Sequence, residues 1–115
     1  MMSSYHFESF CVTIGQLPPP VVVKFAARER QTIEDDFQRF NKELREEELS
    51  IWNFCRFLEN AATGVDIPPC LLPSDHVKAY RAIVVKLVQA GQLPASAKQQ
   101  FDTTFTAGFF QACAA

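Results

Sequence analysis

The feature that most limits what this chain can fold into is a stretch of 43 residues, Val21 to Thr63, without a glycine or a proline. No strong breaker interrupts it. Its apolar residues are spaced for a helix. Ile33, Phe37, Phe40, Leu44, Ile51, Phe54, Leu58 and Ala61 follow alternating steps of four and three, with Glu47 in the one missing place. This is an a/d seam sustained over about four heptads. Val22 and Ala26 extend it backwards through Glu29. Pairs of opposite charge at i,i+4, such as Arg30 with Glu34 and Asp35 with Arg39, support the same period.

A helix over about residues 20–62 would be roughly 63 Å long at 1.5 Å per residue. A domain of this size has a radius of gyration of about 13 Å. The two lengths conflict. Either the helix breaks, around Glu46–Ser50, or it projects and buries its seam against another chain. The absence of a breaker favours the continuous rod, and with it a self-associating protein, most simply a dimer.

Flanking signals divide the rest. Pro18, Pro19 and Pro20 lead into the long helix, with Pro20 near its first turn. Pro73, Ser74 and Asp75 open the next helix, Ser74 as N-cap. Val77, Tyr80, Ile83, Val84, Leu87 and Val88 form its stripe, and Gly91 ends it. A last helix starts near Ala95 or Ser96, with Ala97, Phe101, Phe105, Gly108 and Ala112 on one face. The N-terminal segment is ambiguous. Phe7, Phe10 and Ile14 have helical spacing, yet the segment is rich in β-formers. Gly15-Gln16-Leu17-Pro18 recurs as Gly91-Gln92-Leu93-Pro94, which suggests one helix-stop device used twice. The fold class expected is all-α: a single helical domain over 1–115, a small bundle of three to four main helices around one long central helix.

The chemistry visible in the sequence is sparse. Cys11, Cys55, Cys70 and Cys113 are far apart, and neither His6 nor His76 joins them in a metal-ligand spacing. Cys55 reads as packing. Cys70, in a proline-rich loop, could be exposed, but no cation stands nearby to activate it. Glu46, Glu47 and Glu48 splay apart on a helix and cannot converge on one ion. His76 beside Asp75 reads as a surface or capping histidine, because adjacent helical residues do not face each other. No phosphate-binding or nucleophile motif occurs. We therefore expect no enzyme, no catalytic residues, no metal and no cofactor.

Net charge is -2, which argues against nucleic acid held by bulk electrostatics. No apolar run is long enough to span a bilayer, and the first residues carry no basic n-region. Reduced thiols and the lack of an export signal point to the cytoplasm. The function expected is a protein–protein interaction module: a small adaptor, inhibitor or non-catalytic subunit binding through an apolar helical face. The alternative is a helical subunit touching nucleic acid in a nucleoprotein assembly, through Arg28, Arg30, Arg39, Lys42, Arg45 and Arg56. Six residues are candidates for the partner contact. Trp52 and Phe57 lie on the long helix, Ile67, Leu71 and Leu72 in the proline-stiffened connection, and Phe110 opposite the last stripe. That connection reads first as a plug across the bundle end, with the docking edge as its functional alternative.

Overall fold

The computed structural model describes residues 6–40, 46–63 and 68–108. The long breaker-free stretch does not make one rod. It forms two helices, α2 (Pro19–Phe40) and α3 (Glu46–Thr63), packed side by side. Arg30 on α2 meets Glu59 on α3, and Glu34 meets Trp52. Rising numbers on α2 match falling numbers on α3, so the pair is an antiparallel hairpin. The expectation of one continuous helix over 20–62 is thereby corrected. The molecule is 38 Å in its longest extent, with a radius of gyration of 13.3 Å. The physical reason is burial. Folding back lets Ile33 and Ile51 leave water together, each with no exposure. Tertiary packing of an apolar face outweighs the local preference for continuing the helix.

The ambiguous N-terminal segment is a helix, α1 (Phe7–Gln16), burying Phe7, Phe10 and Ile14 as the 3.6-residue period requires. The two Gly-Gln-Leu-Pro copies behave differently. Gly15 lies inside α1. Gly91 has φ 77° and follows α4 (Ser74–Gln89). The Gln92 N–H donates to Leu87 O at 2.9 Å and the Gly91 N–H to Val88 O at 3.0 Å. This is the paired Schellman closure, which needs a left-handed residue where glycine stands. Ser74 is the first residue of α4 rather than its cap, a place taken by Pro73. His76, Tyr80, Val84 and Leu87 are its buried residues.

The last helix is shorter than its stripe implied. α5 (Ala97–Thr104) stops before Phe105, which begins an extended segment. The β-formers Thr103, Thr104, Phe105 and Thr106 favour that change. β1 (Cys70–Leu72) and β2 (Phe105–Ala107) pair in parallel, Cys70 opposite Phe105 and Leu72 opposite Ala107. The Gly108 N–H extends the pairing to Leu72 O at 2.9 Å. The mostly helical expectation holds, and this two-stranded sheet is added to it.

Phe54 of α3 organises the core. Tyr80 of α4 stacks on it, and Phe10 of α1, Phe101 of α5 and Phe105 of β2 meet it edge-on. Rings from four other elements thus converge on one side chain. Edge-to-face and offset contacts suit the aromatic quadrupole and add to burial. Among the described residues, no helix is long and apolar enough to cross a membrane.

Candidate functional site

Two surface regions carry side chains beyond what packing needs. The first is a flank of the α2–α3 hairpin. Trp52 is partly exposed on α3, and its Nε1–H donates to Glu34 Oε2 at 2.8 Å. The Arg56 guanidinium, one turn along, lies 4.5 Å from the Trp52 ring centroid. That is a cation–π distance, with i,i+4 spacing bringing the two together. Glu34 also accepts from Arg30 Nη1 at 2.9 Å. Arg30 reaches Glu59 with both Nε and Nη2. Hydrogen bonds to Glu59 and then Glu34 hold the Arg30 guanidinium firmly protonated. A shallow groove of about 330 Å³ runs among Arg30, Glu34, Arg56, Glu59 and Asn60. Phe37 lies three residues beyond Glu34, on the same side of α2. It is 45% exposed.

The second region is a polar cleft of about 430 Å³ where the N-termini of α1, α3 and α4 meet. His6, Phe7, Glu8, Ser9, Glu47, Asp75 and His76 line it. Glu47 Oε1 accepts the Phe7 backbone N–H at 3.1 Å, so a residue of α3 caps α1. His6 Nδ1 stands 3.6 Å from Glu47 Oε2. The Phe7 ring lies on His76, and behind it Ser50 Oγ is 2.8 Å from both His76 Nδ1 and Tyr80 Oη. Burial pulls His76 below the ordinary imidazole value, against the charges of Asp75 and Glu47. Burial likewise raises the Tyr80 phenol well above its usual value. Ser50 has no exposure, so no reacting carbonyl can approach its oxygen. The Ser50–His76 pair ties α3 to α4 and does not form a nucleophile with its base. Among the described residues, no group of three histidines, cysteines or carboxylates could hold a metal ion.

Comparison with known proteins gives no match to a family model, a curated protein or a solved structure. Function must be argued from the residues.

Of the six residues singled out in the sequence, the four that are described do not share one surface. Trp52 is at the hairpin flank. Phe57 is 3% exposed and packs against Phe101 and Phe105, so it is corrected from a surface contact to a core residue. Leu72 has no exposure and is corrected likewise. It sits in β1, where pairing with β2 turns it inward. Leu71 is partly buried against Gly108, where an added Cβ would stand 3.3 Å from Leu71 Cδ2. Ile67 and Phe110 lie outside the described residues.

His76 is corrected too. It is 7% exposed, not a surface residue. Cys70, for which the sequence left exposure open, is 4% exposed. Sequence reasoning missed Ser50, Glu47 and Phe37 as residues with a role. The first two gave no local signal, since their partners are distant in the chain. Phe37 was hidden by its place in the seam.

Proposed function

We propose that this chain is a protein-binding module that docks a partner on the α2–α3 flank formed by Phe37, Trp52 and Arg56. One observation carries the reading. Ile33, Ile51, Phe54, Leu58 and Ala61 of the seam are buried, while Phe37 is left 45% exposed. A large aromatic in that position gains from being covered. Glu34, three residues before Phe37 on α2, fixes a tryptophan of α3 that is overlaid by an arginine. Trp and Arg are the residue types that dominate binding energy at interfaces. Side chains ordered before binding lose less entropy when a partner arrives.

The seam is not too long for one subunit, because the hairpin and the elements packed on it bury Ile33, Ile51, Phe54, Leu58 and Ala61 within the chain. The dimer expectation rested on a seam of excess length and loses that support. A second copy remains one occupant the flank would accept, and light scattering at tens of micromolar separates it from a hetero-partner. The nucleic-acid alternative draws little support from the flank, where Arg30 is committed to two glutamates and Arg56 to Trp52.

The test is co-purification from the native source with the wild-type chain and with Phe37→Ala, Arg56→Ala and Val12→Ala. Val12 is 59% exposed on α1, a helix that contributes nothing to the flank, and serves as control. The partner set captured by the wild type and by Val12→Ala should be lost from the other two. With that partner in hand, each flank variant should weaken binding by about 30-fold or more, the size of a hot-spot loss. Unchanged capture by Phe37→Ala and Arg56→Ala would overturn the proposal.

A further inference from the structure

We propose that α1 is a pH-operated latch: the uncharged His76 ring and the Glu47 carboxylate clasp its first turn, and protonation of His76 in mildly acidic medium releases it from α3 and α4. The clasp has three contacts. Phe7 lies flat on His76, with ring centroids 3.7 Å apart. The Phe7 N–H donates to Glu47. Ser50 and Tyr80 hold the His76 ring in place from behind. At the other end of α1, Lys86 Nζ donates to Gly15 O at 3.3 Å, an exposed contact.

The geometry decides which side opens. A charged imidazole needs water or a counter-charge. The Nδ1 edge of the His76 ring is held by Ser50, and Tyr80 meets the ring edge-on. One face of the ring is covered by Phe7, the first residue of α1. Lifting the first turn of α1 uncovers that face and leaves the Ser50 contact between α3 and α4 in place. The start of α4 adds to the pressure, since a helix N-terminus disfavours a nearby cation.

Other titratable groups face the same cleft. Glu47 from α3 and Asp75 from α4 favour the charged imidazole, and Glu8 lies on the α1 side. Their pull is weaker than the effect of burial, which leaves His76 with a lowered proton affinity. His6 Nδ1 faces the cleft as well, 3.6 Å from Glu47 Oε2. Release bares Phe10 and Ile14, otherwise 5% and 2% exposed, together with the rings beneath them. The latch thus controls an apolar helical face.

Hydrogen–deuterium exchange on the full chain tests this. Protection of the α1 amides, corrected for intrinsic exchange, is measured between pH 7.5 and 5. One proton, bound in the open state by a histidine of ordinary value 6.5, can shift the opening by about 30-fold at most over that range. A fall in α1 protection within that limit is expected while the α2–α3 hairpin stays protected. His76→Gln and His76→Phe should flatten the pH dependence, and His6→Gln should not. The latch is overturned by an α1 protection that ignores pH, by all helices losing protection together, or by a dependence that survives in both His76 variants. Should neither variant fold, the wild-type ring signals decide by NMR. The His76 resonances must titrate over the interval in which α1 opens, and a separate midpoint overturns the latch.

Discussion

The rings of Phe54 and Tyr80 stack with their centroids 4.1 Å apart and their planes within 6°. Phe54 comes from α3 and Tyr80 from α4, so this pair joins the hairpin to the C-terminal half. Neither residue has any exposure. Phe54→Ala removes the ring on which four other elements converge, and should cost about 3–5 kcal/mol. A domain with total stability of about 5–15 kcal/mol would be near its limit. Tyr80→Phe keeps the stack and loses only the bond to Ser50, at a cost of about 1 kcal/mol. Urea unfolding followed by circular dichroism should rank the two variants in that order.

Acid should weaken the fold through His76. Its folded-state pKa lies below the value of 6.5 that it has in an unfolded chain. Between those two values the unfolded chain binds the proton and the folded chain does not. Stability from this residue is therefore complete above about pH 6.5, and is lost as pH falls through the folded pKa. Glu29, whose carboxyl is raised by burial, acts in the opposite direction. The difference between wild type and His76→Gln isolates the histidine. The urea midpoint of the wild type should fall between pH 7 and 5 by more than that of the variant.

The two glycines of the repeated tetrapeptide should respond in opposite directions. Gly91 has a left-handed backbone, with nothing within 4 Å of an added Cβ. Gly91→Ala should cost about 1 kcal/mol from backbone strain alone. Gly15 lies within a helix and also has open space around it. Gly15→Ala should raise stability by about 0.5–1 kcal/mol. Thermal melts of the two single variants would check both signs.

Cys11 should be a slow thiol. Burial raises it from 9.0 to about 11. The thiolate is the reacting form, so alkylation at pH 8 should be about a hundredfold slower than in the urea-unfolded chain. The rate should climb about tenfold per pH unit until it nears 11. Peptide mass spectrometry after iodoacetamide treatment reads this site separately from the other cysteines. A rate equal to that of the unfolded chain would mean that α1 leaves the core far more often than its packing implies.

Local signals carried the helical elements well. The spacing of Phe7, Phe10 and Ile14 marked the buried face of α1, and Gly91 marked the end of α4, because both depend on backbone geometry within one or two turns. The proline-rich connection was legible only as a choice between plug and docking edge. Within it, Cys70 and Leu72 are buried where β1 pairs with Phe105 to Ala107, 35 positions along the chain. Of the candidate flank, Trp52 was visible as an aromatic on the long helix. Phe37 was not, because seam spacing cannot show that a position lacks a covering neighbour.

By itself, then, the sequence determined that the chain is mostly helical, where its helices present apolar faces, and that residues 33 to 61 carry a long seam. Only the tertiary structure decided what covers that seam. A heptad pattern reads the same whether the facing helix belongs to another molecule or to the same chain reversed on itself. The choice lies in the burial gained when the chain folds back and Ile33 and Ile51 both leave water, which no local spacing records. For the same reason His76 read as a surface residue. It stands beside Asp75 at the start of a helix, while Phe7 and Ser50, which enclose it, come from elements far away in the chain.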